Sequence, residues 1–194
     1  DLKISNSVFG NINFNHSIID NFFYVSTDQD SQEIMAPILN QYEGKIKYSS
    51  LKLERSFDFG KWTLDNSIIY QIINQNEDIL NLPQFMSRNT LFFSERIFRN
   101  TLAIQTGINF KIFSKYYANE YNPLISDFHI QNQKKIGSFP LFDFFFNAKI
   151  RQTKIFIIAE HINSSFTGNN FYSTPESVYR DFGVRFGFKW NLFN

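Results

Sequence analysis

The last stretch of the chain, Tyr179 to Asn194, alternates strictly between apolar and polar residues. Phe182, Val184, Phe186, Phe188, Trp190 and Leu192 share one phase, and Asp181, Gly183, Arg185, Gly187, Lys189 and Asn191 share the other. Successive side chains of a strand point to opposite faces, so a strand here carries one aromatic face and one polar face. It runs without a breaker over the roughly ten residues that a tilted strand needs to cross a bilayer. A soluble ligand-binding barrel also alternates, but it turns its apolar phase inward, where a small interior has no room for such aromatics from every strand. Gly183 and Gly187 suit the crowded side instead. The pattern predicts a closing strand with lipid on its aromatic face and a polar interior behind it.

Composition supports strands over helical spans. Phe accounts for 25 of the 194 residues and aromatics for 19%, yet mean hydropathy is only −0.28. High aromatic content with modest hydropathy is what alternation produces. Even the apolar run from Pro140 to Phe146 is interrupted by Asp143, so nothing approaches a helical membrane span. Nineteen basic against 18 acidic residues leave a net charge of +1 and no electrostatic footprint for nucleic acid. The absence of cysteine excludes disulfides and thiolate metal sites. His16 and His129 have no partners at metal-ligand spacing and there is no glycine-rich phosphate loop, so neither a metal nor a cofactor is expected. The chain opens at Asp1 with no signal-like segment, which reads as a removed signal or as a piece of something longer.

Read in order, residues 1–194 form one all-β domain, with the hairpin rhythm clearest over 42–194. Leu2, Ile4, Val8, Ile12 and Phe14 keep an even phase, with a kink at Gly10. Asn15-His16 reads as a turn before a strand from Ile18 to Ser26, and Thr27 to Gln41 as a long loop. Tyr42 to Phe57 reads as a strand with a bulge at Ser49-Ser50, and Asp58 to Lys61 as a short turn. A strand from Trp62 to Ile72 precedes a long loop from Asn74 to Phe85. Met86 to Ile97 and Thr101 to Lys115 make a hairpin, followed by the longest loop, Tyr116 to Gly137. Ser138 to Ile150 and Lys154 to Ile162 flank a tight turn at Arg151-Gln152-Thr153, and Asn163 to Val178 is the last long loop. Long and short connections alternate, as in bacterial barrels with short periplasmic turns and long extracellular loops. The count is eight strands from Ile18, or nine with Leu2 to Phe14. That predicts an antiparallel transmembrane β-barrel, either a small closed one or the C-terminal strands of a larger one.

The phases assign faces. Phe182, Val184, Phe186, Phe188, Trp190, Phe142, Phe144, Phe146, Ile104, Ile108 and Phe110 are expected to meet lipid. Arg185, Lys189, Lys149, Lys111, Asp65, Asp143 and Glu160 are expected to face the interior, either as the lining of a pore or as paired charges filling a narrow barrel. Trp62, Trp190 and Tyr116-Tyr117 read as interfacial girdle residues. His161, Asn163, Ser164 and Ser165 sit together at a strand mouth and raise a lipase-like arrangement, but loop Ser and Asn are ordinary turn residues, so no catalytic residue is assigned. The loop Asn163 to Pro175, with Phe166, Phe171 and Tyr172, either narrows the mouth or packs on the rim.

Several blocks resemble a known family. RNTLFFSERIF (Arg88 to Phe98), AIQTGINF (Ala103 to Phe110) and SKYYANEYNP (Ser114 to Pro123) are among them. So are QNQKKIGSFPLFDFFFNAKIRQTKIF (Gln131 to Phe156), EHINSSFTGNNFYSTP (Glu160 to Pro175) and YRDFGVRFGFKWNLF (Tyr179 to Phe193). Together, from Leu51 onward, they resemble the C-terminal portion of a Bacteroidetes "putative porin" family. The resemblance implies an outer-membrane β-barrel of a Gram-negative bacterium, in contact with outer-membrane lipid and with other outer-membrane proteins or copies of itself. The first reading for such a barrel is passive diffusion of small hydrophilic solutes, with no enzymatic activity. The other reading is a structural or accessory barrel with a filled, non-conducting interior.

Overall fold

The computed structural model describes residues 1–6, 10–27, 37–168 and 171–191. Nine strands form one antiparallel sheet: β1 (Leu2–Asn6), β2 (Gly10–Thr27), β3 (Pro37–Phe59), β4 (Trp62–Asn74), β5 (Phe85–Ile97), β6 (Leu102–Phe113), β11 (Leu141–Ile150), β12 (Thr153–Glu160) and β15 (Gly183–Trp190). Each pairs with its neighbour in that order. Short pieces lie within the long connections. These are β7 (Tyr116–Tyr117), β8 (Glu120–Asn122), β9 (Asp127–His129) and β10 (Lys135–Ile136), then α1 (Ser164–Thr167), β13 (Tyr172–Thr174) and β14 (Ser177–Val178). No helix among the described residues is long and apolar enough to cross a membrane, which says nothing about crossing by strands.

The sheet is not closed: among the described residues β1 and β15 are its two edges and do not pair with each other. The expected all-β antiparallel sheet is present with nine strands, but it is an open sheet and not a closed barrel. Four details of the sequence reading change. Asn15-His16 is not a turn: β2 runs straight through it, with Asn15 opposite Ser50 and His16 opposite Ser49. The bulge lies on β2 between Asp20 and Phe22, at Asn21 with φ 56°, and not at Ser49-Ser50, where register is unbroken. β3 starts at Pro37, inside the expected loop; positions 28–36 of that loop lie outside the described residues, as do Val8, Asn169 and the end of the closing strand at Leu192 to Asn194. The closing strand begins at Gly183, so Phe182, 54% exposed, precedes it and has no register partner.

Directly opposed residues of an antiparallel pair share a face, so register carries one face across the whole sheet. The row Trp62, Phe93, Thr106, Phe146, Ile157 and Phe186 is unbroken from β4 to β15. This face is apolar and bare: Leu2, Ile4, Ile18, Phe59, Trp62, Tyr70, Phe186, Phe188 and Trp190 are all well exposed. An uncovered apolar surface running the width of a sheet far exceeds what a water-soluble monomer leaves open. The buried core is small and lies on the opposite face at the loop end. Tyr42, Ile46 and Ile79 form it, with Ile19, Phe22, Ile73, Leu80 and Ile130 packed around them.

The long connections interlock above that face. The β6–β11 connection reaches back across β5, β4 and β3, and Ile130 N–H donates to Val25 O of β2 at 2.8 Å. Four inter-strand steps separate β6 from β2, roughly 19 Å. Asn132 Nδ2 donates to Asp78 O at 3.0 Å and Asn81 Nδ2 to Asn132 Oδ1 at 3.0 Å, tying in the β4–β5 connection. Lys134 Nζ donates to Pro175 O at 2.5 Å and sits 3.8 Å from the Tyr172 ring centroid, tying in the β12–β15 connection. The rings of Phe139 and Phe171 stack at 4.4 Å beside His161 and Tyr179.

Candidate functional site

The face beneath this roof is polar, and the elements that hold it are the same strands read on their other phase. Asp65 is opposite Thr90 and Ser56; Lys111 is opposite Arg88 and Leu141; Asp143 is opposite Asn109. Lys149 is opposite Lys154, which is opposite Lys189; Arg185 is opposite Ile158. Glu160 is opposite Gly183. All seven residues expected to face inward thus lie on one face. Val184, Phe186, Phe188, Trp190, Phe142, Phe144, Phe146, Ile104, Ile108 and Phe110 lie on the other.

Near the loop end the charges are matched. Lys111 Nζ donates to Asp143 Oδ2 at 2.7 Å, and Asp143 Oδ1 accepts the His161 backbone N–H at 3.0 Å. Glu160 takes both Arg180, at 3.0 Å, and Arg185. Lys52 pairs with Glu54 at 2.7 Å, and Ser56 Oγ donates to Asp65 Oδ1 at 2.5 Å. A recess of about 900 Å³ opens among these groups, lined by Lys52, Glu54, Asp65, Ser67, Arg88 and Lys111. Below it, Phe92, Gly107, Phe145 and Ile158 form an apolar row on the same face. Gly107 is buried and has no side chain for a reason: a Cβ there would collide with Leu91 O and come within 2.6 Å of the Phe92 Cβ.

Sequence reading missed two members of this face. Arg96 is opposite Ala103, which is opposite Lys149. Lys154 stands between Lys149 and Lys189. The signal was the strand partner, not the strand: β12 reads TKIFIIAE, and Phe156 and Ile158 on the polar face hide its phase. The apolar face has exceptions as well. Arg55, Asn66 and Asn89 form a polar row across β3, β4 and β5. No ion pair is made by Arg55 among the described residues; its guanidinium lies 4.2 Å from the Phe57 ring centroid.

Trp62 and Trp190 stand on the apolar face at the short-turn ends of β4 and β15. Tyr116 and Tyr117 do not: they form β7, paired with β10, and Tyr116 packs on Phe113 at 5.9 Å. Burial raises the Tyr116 hydroxyl pKa, so that group is held neutral. Of the His161, Asn163, Ser164 and Ser165 group, His161 and Asn163 are tied to neighbouring backbone. His161 is 1% exposed, with Nδ1 at 2.8 Å from Arg180 O. Asn163 Oδ1 accepts the Phe142 N–H at 3.0 Å while Nδ2 donates to Pro140 O at 2.9 Å. Among the described residues no side-chain hydrogen bond joins His161 to Ser164 or Ser165, and no set of three His, Asp or Glu gathers to hold a metal.

A family model described as "Putative porin" matches residues 1–194, including the first fifty residues for which the quoted blocks gave no likeness. No curated protein and no solved structure matches the chain.

Proposed function

Since the chain belongs to the "Putative porin" family, we propose that it forms one side of an outer-membrane barrel through which small hydrophilic solutes diffuse passively. One observation carries this: the nine-stranded sheet puts an exposed apolar face on one side and, on the other, a polar face with a charged recess. Backbone groups in a bilayer tolerate no open sheet edge, so further strands close the wall between β15 and β1. The apolar face meets the lipid of a Gram-negative outer membrane, the short turns lie in the periplasm and the interlocked connections lie outside. Diffusion needs width and charge only, so no catalytic group or cofactor enters.

The test is current through the full-length protein in planar bilayers. Stable single-channel steps in potassium chloride are expected. The matched charges Lys111–Asp143 and Arg185–Glu160–Arg180 favour a second reading, an accessory barrel sealed by its own side chains. Folded, inserted protein that passes no current would select that reading and end the channel one.

Lipid contact also makes a prediction for Arg55. It stands four positions from Phe59 at the β3–β4 turn, roughly 13 Å along the strand, inside an apolar band roughly 25 Å tall. An arginine facing lipid there is destabilising, so Arg55→Leu is expected to stabilise the inserted protein by about 2 kcal/mol. Urea unfolding from lipid vesicles measures it; a destabilised variant would show that this face does not meet lipid.

A further inference from the structure

The polar face is not uniform along its length. Its loop end holds cations beside acids, as described above. Its short-turn end holds Arg96, Lys149, Lys154 and Lys189 in a single register row, Arg96–Ala103–Lys149–Lys154–Lys189, running across β5, β6, β11, β12 and β15. Three of the four are directly opposed lysines on adjacent strands. None of the four makes an ion pair among the described residues, and all are exposed.

Like charges directly opposite each other weaken a strand pair, and a sheet that needs only solubility there places a neutral or opposite partner. No acid of this face stands in the row; Asp58, at the β3–β4 turn, is two strands from Arg96 and accepts a hydrogen bond from Thr63. On β11 and β12 the nearest acids of this face, Asp143 and Glu160, stand six positions further along, roughly 20 Å away. That is about two and a half times the Debye length at physiological salt, so the loop-end acids do not screen the row. The Phe92–Gly107–Phe145–Ile158 stretch lies between the two zones and is itself uncharged; its row ends at Arg185 on β15 and, through Thr63, at Asp58 on β3. Arg99 and Arg151 in the adjoining turns add to the same sign, while Glu95 points to the other face and is taken by Lys61.

We propose that this row is an anion-collecting site at the short-turn mouth and that the channel carries small anions bearing carboxylate or phosphate groups. The proposal rests on the channel reading above. Rings of one charge sign select the opposite ion, and a low-dielectric wall focuses their field into the mouth. The near-zero net charge of the chain conceals this, because it sums over both ends of the face and the acids beside the row's own strands, Asp143 and Glu160, stand at the other end.

The experiment is the reversal potential of the full-length protein in planar bilayers under a potassium chloride gradient. Chloride is expected to be preferred over potassium several-fold at low salt, with the preference fading as salt shortens the Debye length. The combined variant Lys149→Gln, Lys154→Gln and Lys189→Gln is expected to bring the ratio close to one. Removing opposed like charges relieves strain in the pairs, so it should fold at least as well as the parent. If it does not insert, the parent's ratio and its salt dependence still decide. A parent channel with no anion preference, or a variant that keeps the preference, overturns this inference and leaves the channel reading standing. Absence of current from inserted protein overturns both.

Discussion

Excising residues 118–134 and joining Tyr117 to Lys135 through an Asn-Gly turn is expected to raise single-channel conductance several-fold. The cut is placed by register: Tyr117 and Lys135 are direct partners of the β7–β10 pair, so a two-residue turn suits the ends that remain. What leaves is the part of the β6–β11 connection that crosses the polar face. Ile130 loses its hydrogen bond to Val25 O and its packing against the Tyr42, Ile46 and Ile79 cluster. Asn132 releases Asp78 and Asn81, and Lys134 releases Pro175. Three connections then lose their common tie and the mouth beneath them widens. Conductance equal to that of the parent would mean that the roof does not limit flow and that the narrowest point lies lower, near the Phe92–Gly107–Phe145 row.

The second large effect is on assembly. Gly107→Val is expected to prevent formation of a stable folded sheet. Gly107 sits between Phe92 and Phe145 on adjacent strands, and even a Cβ would meet the Leu91 carbonyl and the Phe92 Cβ. Those are backbone and near-backbone atoms, which cannot rotate aside, so β5 and β6 would have to separate. Overpacking of this kind costs about 1–3 kcal/mol in well-packed sites, and a central strand pair offers little slack. The control is Gly183→Ala, where nothing lies within 4 Å of the added atom, and it should behave as the parent. Heat-modifiable migration on gels and the urea midpoint report the outcome. A parent-like midpoint for Gly107→Val would mean that the two strands are not packed as described.

What could be read from the sequence was local phase. β6 and β15 alternate almost without a break, and β4 and β11 do so over enough positions despite Asn66, Ile69 and Phe145, so the apolar and polar faces of these strands were legible without a partner. Asn15-His16 was misread because both residues favour turns; yet Asn13, Asn15 and Ser17 keep one phase, and in β2 they simply line the polar face opposite Lys52, Ser50 and Tyr48. Lys154 was left without a face because β12 interrupts its own alternation, and only its neighbours Lys149 and Lys189 resolve it. The packing of Ile79 and Ile130 onto Tyr42 and Ile46 joins residues from three separate connections and strands. No local pattern encodes such a contact, so the roof over the polar face emerges only in three dimensions.

The two free edges carry one more consequence, through strand direction. Nine strands are separated by eight steps, and every step is antiparallel. An even number of reversals leaves β1 and β15 running the same way. Brought directly together they would meet parallel, and so would β15 of one copy and β1 of a second copy held in the same membrane orientation. Self-association therefore cannot seal this wall with antiparallel hydrogen bonds, whatever the number of copies. A seal of that kind takes an odd number of additional strands, which brings the total to the even count that single-chain bacterial barrels use.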